Sequence, residues 1–123
     1  MSEHPCILVV EDDPEQMMLY TLLLASHGYR TASAFSAEVA LTLLMESDKY
    51  AVVLTDLNLP GMSGVDLIRT IHDRQIPVPT ILMSNDANVR EIANAAGADG
   101  WIRKHDDIKC MLHAVATAMP SST

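Results

Sequence analysis

Two short apolar stretches, each running into acidic residues, decide the fold of this chain. Residues 7–13 read ILVVEDD, so four apolar residues lead into three acids. Residues 51–56 read AVVLTD, so a second apolar stretch leads into a lone aspartate. Both stretches are short and rich in β-branched residues, which is typical of buried strands. If they lie side by side and parallel, their ends place up to four carboxylates in one small region.

Such a group of carboxylates predicts a metal site. At about 4 Å and an effective dielectric constant near 20, two like charges repel each other by about 4 kcal/mol. This repulsion is tolerable if a cation lies among the acids or if one acid stays protonated. A hard, oxygen-seeking ion such as Mg²⁺ suits Glu11, Asp12 and Asp56. Asp13 precedes Pro14 and is better interpreted as the N-cap of a helix.

Size and charge limit the classes of function. The 123 residues have room for one compact domain, and 49 % of them are hydrophobic, enough for a sizeable core. The net charge of −8 argues against direct binding to nucleic acid or to anionic membranes. Without a long apolar run or a basic leader, we expect a cytoplasmic chain in which Cys6 and Cys110 are reduced.

The rest of the chain alternates between strand and helix patterns. The predicted strands are 7–10, 29–34, 51–55, 80–83 and 100–103. The predicted helices begin at Pro14 (ending before Gly28) and after Ser36, then cover about 65–71, 86–96 and 108–119, with a loop at 58–64 and a frayed tail at 120–123.

Helical periodicity predicts which side chains point inward. The predicted inward residues are Met17, Met18, Leu22 and Ala25 in the first helix, Ala40, Leu43 and Leu44 in the second, Val65, Leu67, Ile68 and Ile71 in the third, and Ile108, Met111, Leu112, Val115, Ala116 and Met119 in the last.

Five strands alternating with five helices predict an α/β fold, a doubly wound parallel sheet with helices on both faces. In such folds the functional site lies beyond the carboxyl ends of the strands. Polar residues at or just beyond these ends should therefore converge. They are Glu11, Asp12, Asp56, Ser84 and Lys104.

Four motifs at these strand ends resemble the receiver domain of two-component response regulators over about residues 6–119. They are ILVVEDD at 7–13, LTDLNLPGMSG at 54–64, LMS at 82–84 and GADGWIRK at 97–104. The resemblance implies a single receiver domain with a flavodoxin-like sheet of order 2-1-3-4-5. It also implies a signalling switch with self-catalysed phosphoryl transfer and autodephosphorylation, with a sensor histidine kinase or histidine phosphotransfer protein as donor and a downstream target protein as receiver of the signal.

The resemblance also assigns roles by position. Asp56 is the phosphoacceptor, Asp12 a direct Mg²⁺ ligand, Glu11 a ligand acting partly through water, and Asn58 a ligand through its backbone carbonyl. Ser84 and Lys104 contact the phosphoryl oxygens. Trp101 occupies the aromatic switch position. His105 replaces the proline usual after the lysine, so no cis peptide is expected there, and Asn85 replaces a small residue beside the phosphoryl pocket.

Other functions remain to be weighed against this one. A non-phosphorylated interaction module of the same fold predicts loss of an acid, the acceptor or the lysine, and all are present. A hydrolase of the haloacid dehalogenase type needs a second acid where Asn58 stands. An EF-hand loop starting at Asp56 lacks the bidentate glutamate, since Leu67 stands at position twelve. A flavin-binding loop would not place three acids against a phosphate.

Overall fold

A computed structural model describes residues 5–119, in which five strands alternate with five helices. The strands are β1 (Cys6–Val10), β2 (Arg30–Ala34), β3 (Tyr50–Asp56), β4 (Thr80–Ser84) and β5 (Gly100–Arg103). The helices are α1 (Pro14–Ala25), α2 (Ala37–Glu46), α3 (Gly64–Asp73), α4 (Val89–Ala96) and α5 (Ile108–Ala118). The predicted tail at 120–123 lies outside the described residues.

The strands form one parallel sheet in the order β2-β1-β3-β4-β5, which confirms the predicted fold class and strand order. The register brings the strand ends together. Val10 pairs with Thr55, and Asp56, the last residue of β3, pairs with Met83. The carboxyl ends of the strands therefore lie along one edge of the sheet, where the sequence predicts the site.

Helices cover both faces of the sheet, as predicted. Alternate residues of β1 point to opposite faces: Leu8 packs with buried residues of α2 and α3, whereas Ile7 and Val9 pack with buried residues of α1 and α5. A third cluster joins α3 and α4 over Leu82 of β4. Side chains from successive positions of a strand fill two separate cores because they alternate across the sheet.

The predicted helix caps are confirmed. Asp13 Oδ1 accepts a hydrogen bond from the Glu15 N–H group at 3.0 Å, with Pro14 at the first helical position. Ser36 Oγ accepts one from the Val39 N–H group at 3.1 Å. Each cap satisfies a backbone donor that has no partner within the first turn of its helix.

The predicted inward face of α1 is only partly correct. Met17 is buried, but Met18 and Leu22 are 63 % and 62 % exposed. Tyr20 and Leu24 are the other buried residues of the helix. Because α1 carries apolar residues on nearly every side, periodicity alone does not select the face that meets the sheet. Ala25, also predicted inward, is exposed.

One further inward assignment is wrong, and it lies in α5. In α2, Leu43 is partly buried and packs against the core as predicted, and Leu41, which was not predicted to point inward, is also buried. In α5, Ala116 is exposed, whereas Met111 and Val115 are buried as predicted.

Several element boundaries also differ from the prediction, and the differences at α4, α3 and β3 affect the site. Helix α4 begins at Val89 rather than at residue 86, because Asp86 belongs to a turn in which its side chain accepts from the Asn88 N–H group at 2.8 Å. The loop predicted at 58–64 ends one residue early, since Ser63 caps α3 and Gly64 is its first residue. Strand β3 extends to include Asp56.

Candidate functional site

Three carboxylates meet at the carboxyl edge of the sheet. Glu11, Asp12 and Asp56 each offer an oxygen, and these oxygens lie within 4.8 Å of one another. Glu11 and Asp56 are buried, whereas Asp12 is exposed. Asp13 caps α1 instead of joining this group. The oxygen-only donor set fits Mg²⁺, a hard cation that binds carboxylates and water in preference to nitrogen or sulfur.

The Lys104 ammonium contacts two of these three carboxylates, those of Asp56 and Glu11. Its Nζ is 3.0 Å from Asp56 Oδ2 and 3.1 Å from Glu11 Oε1, and the lysine side chain is only 7 % exposed. A third contact joins Nζ to Gln16 Oε1 at 2.7 Å. Sequence reasoning missed Gln16, although its place in the first turn of a helix that starts at this edge is a signal that could have identified it.

Burial and the surrounding charges together raise the pKa values of both Lys104 and Glu11. Burial alone would lower the pKa of Lys104, but the hydrogen bonds and charges of Asp56 and Glu11 outweigh it, so this pKa is raised. Burial raises the pKa of Glu11, and the nearby Asp56 charge adds to the effect. The Asp13 N–H group and Lys104 oppose that rise without cancelling it.

Asp56 is presented at the end of β3 with few donors around it. Its Oδ1 accepts one long hydrogen bond, 3.4 Å from the Asn58 N–H group, and its Oδ2 accepts from Lys104. The Thr55 hydroxyl donates to the Asp56 backbone carbonyl at 2.9 Å. A carboxylate with few donors keeps its nucleophilic character, because each donor stabilises the negative charge that must attack.

Ser84 is buried at the end of β4 and does not cap α4. Its Oγ accepts from the Asp86 N–H group at 3.0 Å, whereas the N-cap of the helix, Asn88, forms no side-chain cap bond. The Ser84 backbone carbonyl accepts from the Lys104 N–H group at 2.9 Å, which ties the end of β4 to the lysine. Asn85, next in the chain, is exposed.

Trp101 lies on the edge strand β5 and is 36 % exposed. The Arg103 guanidinium is 5.9 Å from the centre of the Trp101 ring, within the range of a cation–π contact. Arg103 also donates to the Ala87 backbone carbonyl at 3.2 Å. The segment that follows Ser84 is therefore linked through Arg103 to the tryptophan.

The turn after Lys104 has an unusual backbone. His105 has a φ of 71°, in the left-handed region. None of the peptide bonds in residues 5–119 is cis, and this includes the bond between Lys104 and His105.

Cys6 is buried and Cys110 exposed, and neither forms a disulfide. Within the described part of the chain, no helix is long and apolar enough to cross a membrane.

Comparisons with known proteins agree with this geometry. The family model described as the response regulator receiver domain matches residues 7–116. The cell cycle transcriptional regulator CtrA of Caulobacter vibrioides is 32 % identical over 114 residues, which cover 89 % of this chain and 49 % of that protein. The chain thus spans about half the length of this relative.

Two solved structures resemble the fold closely. FixJ-N is 28 % identical with a TM-score of 0.86, and the match covers 96 % of this chain and 94 % of that one. The response regulator TrrA of Thermotoga maritima, solved in complex with Mg²⁺ and BeF, is 25 % identical with a TM-score of 0.85, over 94 % of this chain and 99 % of that one.

Proposed function

Because the chain belongs to the response regulator receiver domain family, we propose that Asp56 accepts a phosphoryl group from a phosphohistidine, with Mg²⁺ bound beside it. The observation that carries this proposal is the contact of Lys104 with Asp56 at 3.0 Å, next to Glu11 and Asp12. The donor is a sensor histidine kinase or a histidine phosphotransfer protein. The same proposal treats the chain as one receiver domain that works in the cytoplasm.

The transfer is a displacement at phosphorus. A carboxylate oxygen of Asp56 forms the new P–O bond while the P–N bond of the phosphohistidine breaks. The electron pair of that bond returns to the ring nitrogen, and a donor protonated on its other nitrogen leaves as neutral imidazole. Asp56 suits this role because it ends β3 at the carboxyl edge of the sheet and its Oδ1 accepts only one long hydrogen bond.

The three clustered carboxylates supply the ligands for the metal. Glu11, Asp12 and Asp56 would hold Mg²⁺ through their oxygens, with the backbone carbonyl of Asn58 added by analogy with the family. Bound Mg²⁺ would neutralise charge on the transferring phosphoryl group. The balance of charge supports this assignment, since the Lys104 ammonium supplies one positive charge against three carboxylates.

Lys104 and Ser84 would hold the phosphoryl group after transfer. The Lys104 ammonium already contacts Asp56, so a small shift brings it to a phosphoryl oxygen. The Ser84 hydroxyl accepts from the Asp86 N–H group and still has its own proton to donate. A new bond from Ser84 would draw residues 85–87 toward the site and alter the surface of α4, β5 and α5 offered to a downstream target protein.

Two alternatives are less well supported. A non-phosphorylated interaction module would not need three clustered acids, one of them the acceptor, with a lysine in contact with two of them. A dehalogenase-like hydrolase would need a general acid two residues after the nucleophile, and Asn58 does not supply one.

The test is intact mass after incubation with acetyl phosphate and Mg²⁺. The wild-type chain should gain one phosphoryl group, and Asp56→Asn should abolish the gain. Asp48→Asn is a matched control, since Asp48 is exposed and follows α2, away from the carboxylate group. A mass gain that persists in Asp56→Asn would place the chemistry at another residue.

A further inference from the structure

The side-chain carbonyl of Gln16 makes the shortest of three contacts with the Lys104 ammonium. Gln16 Oε1 lies 2.7 Å from Nζ, compared with 3.0 Å for Asp56 Oδ2 and 3.1 Å for Glu11 Oε1. An ammonium has three N–H donors and no acceptor. These three contacts therefore match its full donor capacity, and each comes from a different part of the chain: α1, the end of β3 and the residue after β1.

The three acceptors differ in what phosphorylation would do to them. Asp56 loses its carboxylate charge when the acyl phosphate forms, and Glu11 belongs to the group of acids that would hold the cation. Gln16 is neutral and takes no part in either event. We propose that Gln16 is a positioning residue that holds the Lys104 ammonium over Asp56 throughout the cycle, an inference that rests on the proposed function.

Gln16 is itself held in place by its helix. It is the third residue of α1, whose start is set by the Asp13 cap and Pro14. One turn later, the hydroxyl of the buried Tyr20 donates to the same Gln16 Oε1 at 3.4 Å. Two donors thus face one oxygen, and this sets the orientation of the Gln16 amide.

Lys104 has space into which it could move without this anchor. A hollow of about 160 Å³ between α1 and α5 is lined by Gln16, Tyr20, Lys104 and Met111, among others. The lysine stem has four flexible carbons, so its ammonium can adopt other positions when one contact is removed. Loss of the Gln16 acceptor would also leave a charged donor poorly satisfied beside Asp56. Both effects reduce the fraction of time that Lys104 spends over the phosphoacceptor.

A double-mutant cycle between Gln16 and Lys104 tests the inference. Gln16→Met keeps the length of the side chain and removes the acceptor. We expect it to slow phosphorylation by acetyl phosphate about tenfold, the scale set by a hydrogen bond to a charged group. In the Lys104→Met background, the same change should alter the rate by less than about twofold, because a residue that acts through Lys104 has no effect without it.

Controls separate this role from general support of the fold. Thr21→Val removes a polar group from the same helix without touching Lys104 and should leave the rate unchanged. Gln16→Ser, which is too short to reach Nζ, is the second variant if Gln16→Met does not fold, as judged by thermal melts. An unchanged rate in Gln16→Met, or an equal loss in both backgrounds, overturns the role of Gln16. A wild-type chain that gains no phosphoryl group overturns the proposed function and this inference with it.

Discussion

The backbone carbonyl oxygen of Asp56 fills the space that a β-carbon on Gly64 would occupy. That carbon would also lie 3.1 Å from the Leu57 Cα atom, and the Gly64 N–H group donates to the Leu57 carbonyl at 2.9 Å. The start of α3 therefore presses directly against the strand end that carries the proposed phosphoacceptor. Only a residue without a side chain permits this approach.

Gly64→Ala should therefore disturb both the fold and the site. We expect a loss of about 1–3 kcal/mol in the free energy of unfolding, as for other overpacked positions, and slower phosphorylation because the Asp56 backbone must move. Urea denaturation and intact mass measure the two effects. Gly100→Ala is the control, since its β-carbon would meet Ile81 at an ordinary 3.5 Å. Equal stability of the two variants would contradict the tight contact.

Mg²⁺ should stabilise the folded chain by relieving the repulsion among the carboxylates of Glu11, Asp12 and Asp56. At a concentration one hundred times its Kd, binding contributes about 2.7 kcal/mol to the free energy of unfolding, which should raise Tm by several degrees. Asp12→Ala should remove most of this Mg²⁺-dependent rise and can raise Tm in EDTA, because one repelling charge is lost. Asp48→Ala should keep the full rise. An intact Mg²⁺ response in Asp12→Ala would show that the metal assignment is wrong.

The raised pKa of Glu11 predicts a pH dependence of stability without metal. Burial favours the protonated carboxyl of Glu11 in the folded state. Glu11 therefore contributes most to the free energy of unfolding below its ordinary pKa of 4.5, and this contribution is lost as the pH rises through the higher pKa of the folded state. In EDTA at pH 7, Glu11→Gln should thus melt at a higher temperature than the wild type, and the difference should shrink toward pH 4.5. Glu15→Gln, at an exposed position, should not show this pattern. A lower melting temperature for Glu11→Gln at pH 7 would contradict the sign.

Trp101 should report the state of the site through Ser84. Beryllofluoride on Asp56 stands in for the phosphoryl group, and with Mg²⁺ it should change Trp101 emission beyond the effect of Mg²⁺ alone. Ser84→Ala should keep the Mg²⁺ effect and lose this second change, because in the proposed switch the hydroxyl links the phosphoryl group to the segment that Arg103 contacts at Ala87. Ser33→Ala, at an exposed position of β2, is the control. Identical spectra for Ser84→Ala and wild type with beryllofluoride bound would exclude this coupling.

Thr80 should tolerate loss of its hydroxyl. The residue is fully buried, and its Oγ1 has no hydrogen-bond partner among residues 5–119. Its backbone is satisfied separately, since the N–H group donates to Asp99 Oδ2 at 2.8 Å. Thr80→Val keeps the shape and removes the unpaired group, so the free energy of unfolding should rise by about 1 kcal/mol. Thr80→Ser, which keeps the hydroxyl and loses the methyl group, should be less stable, and a destabilised Thr80→Val would reveal a partner for Oγ1.

Local sequence patterns were enough to predict the strand ends, the acidic residues that meet there and two helix caps. Strands end where apolar, β-branched runs meet acids, so the positions of Glu11, Asp12 and Asp56 at one sheet edge followed from the parallel α/β pattern. The caps at Asp13 and Ser36 also followed, because a cap is a contact between residues two or three apart.

Tertiary packing decided the rest. Helix α1 is apolar on several sides, so its sequence does not show which side faces the sheet. Packing against the sheet buries Tyr20 and leaves Met18 exposed. The contact of Gln16 with Lys104 joins residues 88 positions apart, and no local pattern encodes such a distance. The approach of Gly64 to Asp56 likewise depends on where α3 crosses the end of β3. Periodicity and capping act within a few residues of chain, whereas the choice of a buried face and of a lysine's partners depends on which elements the folded sheet brings together.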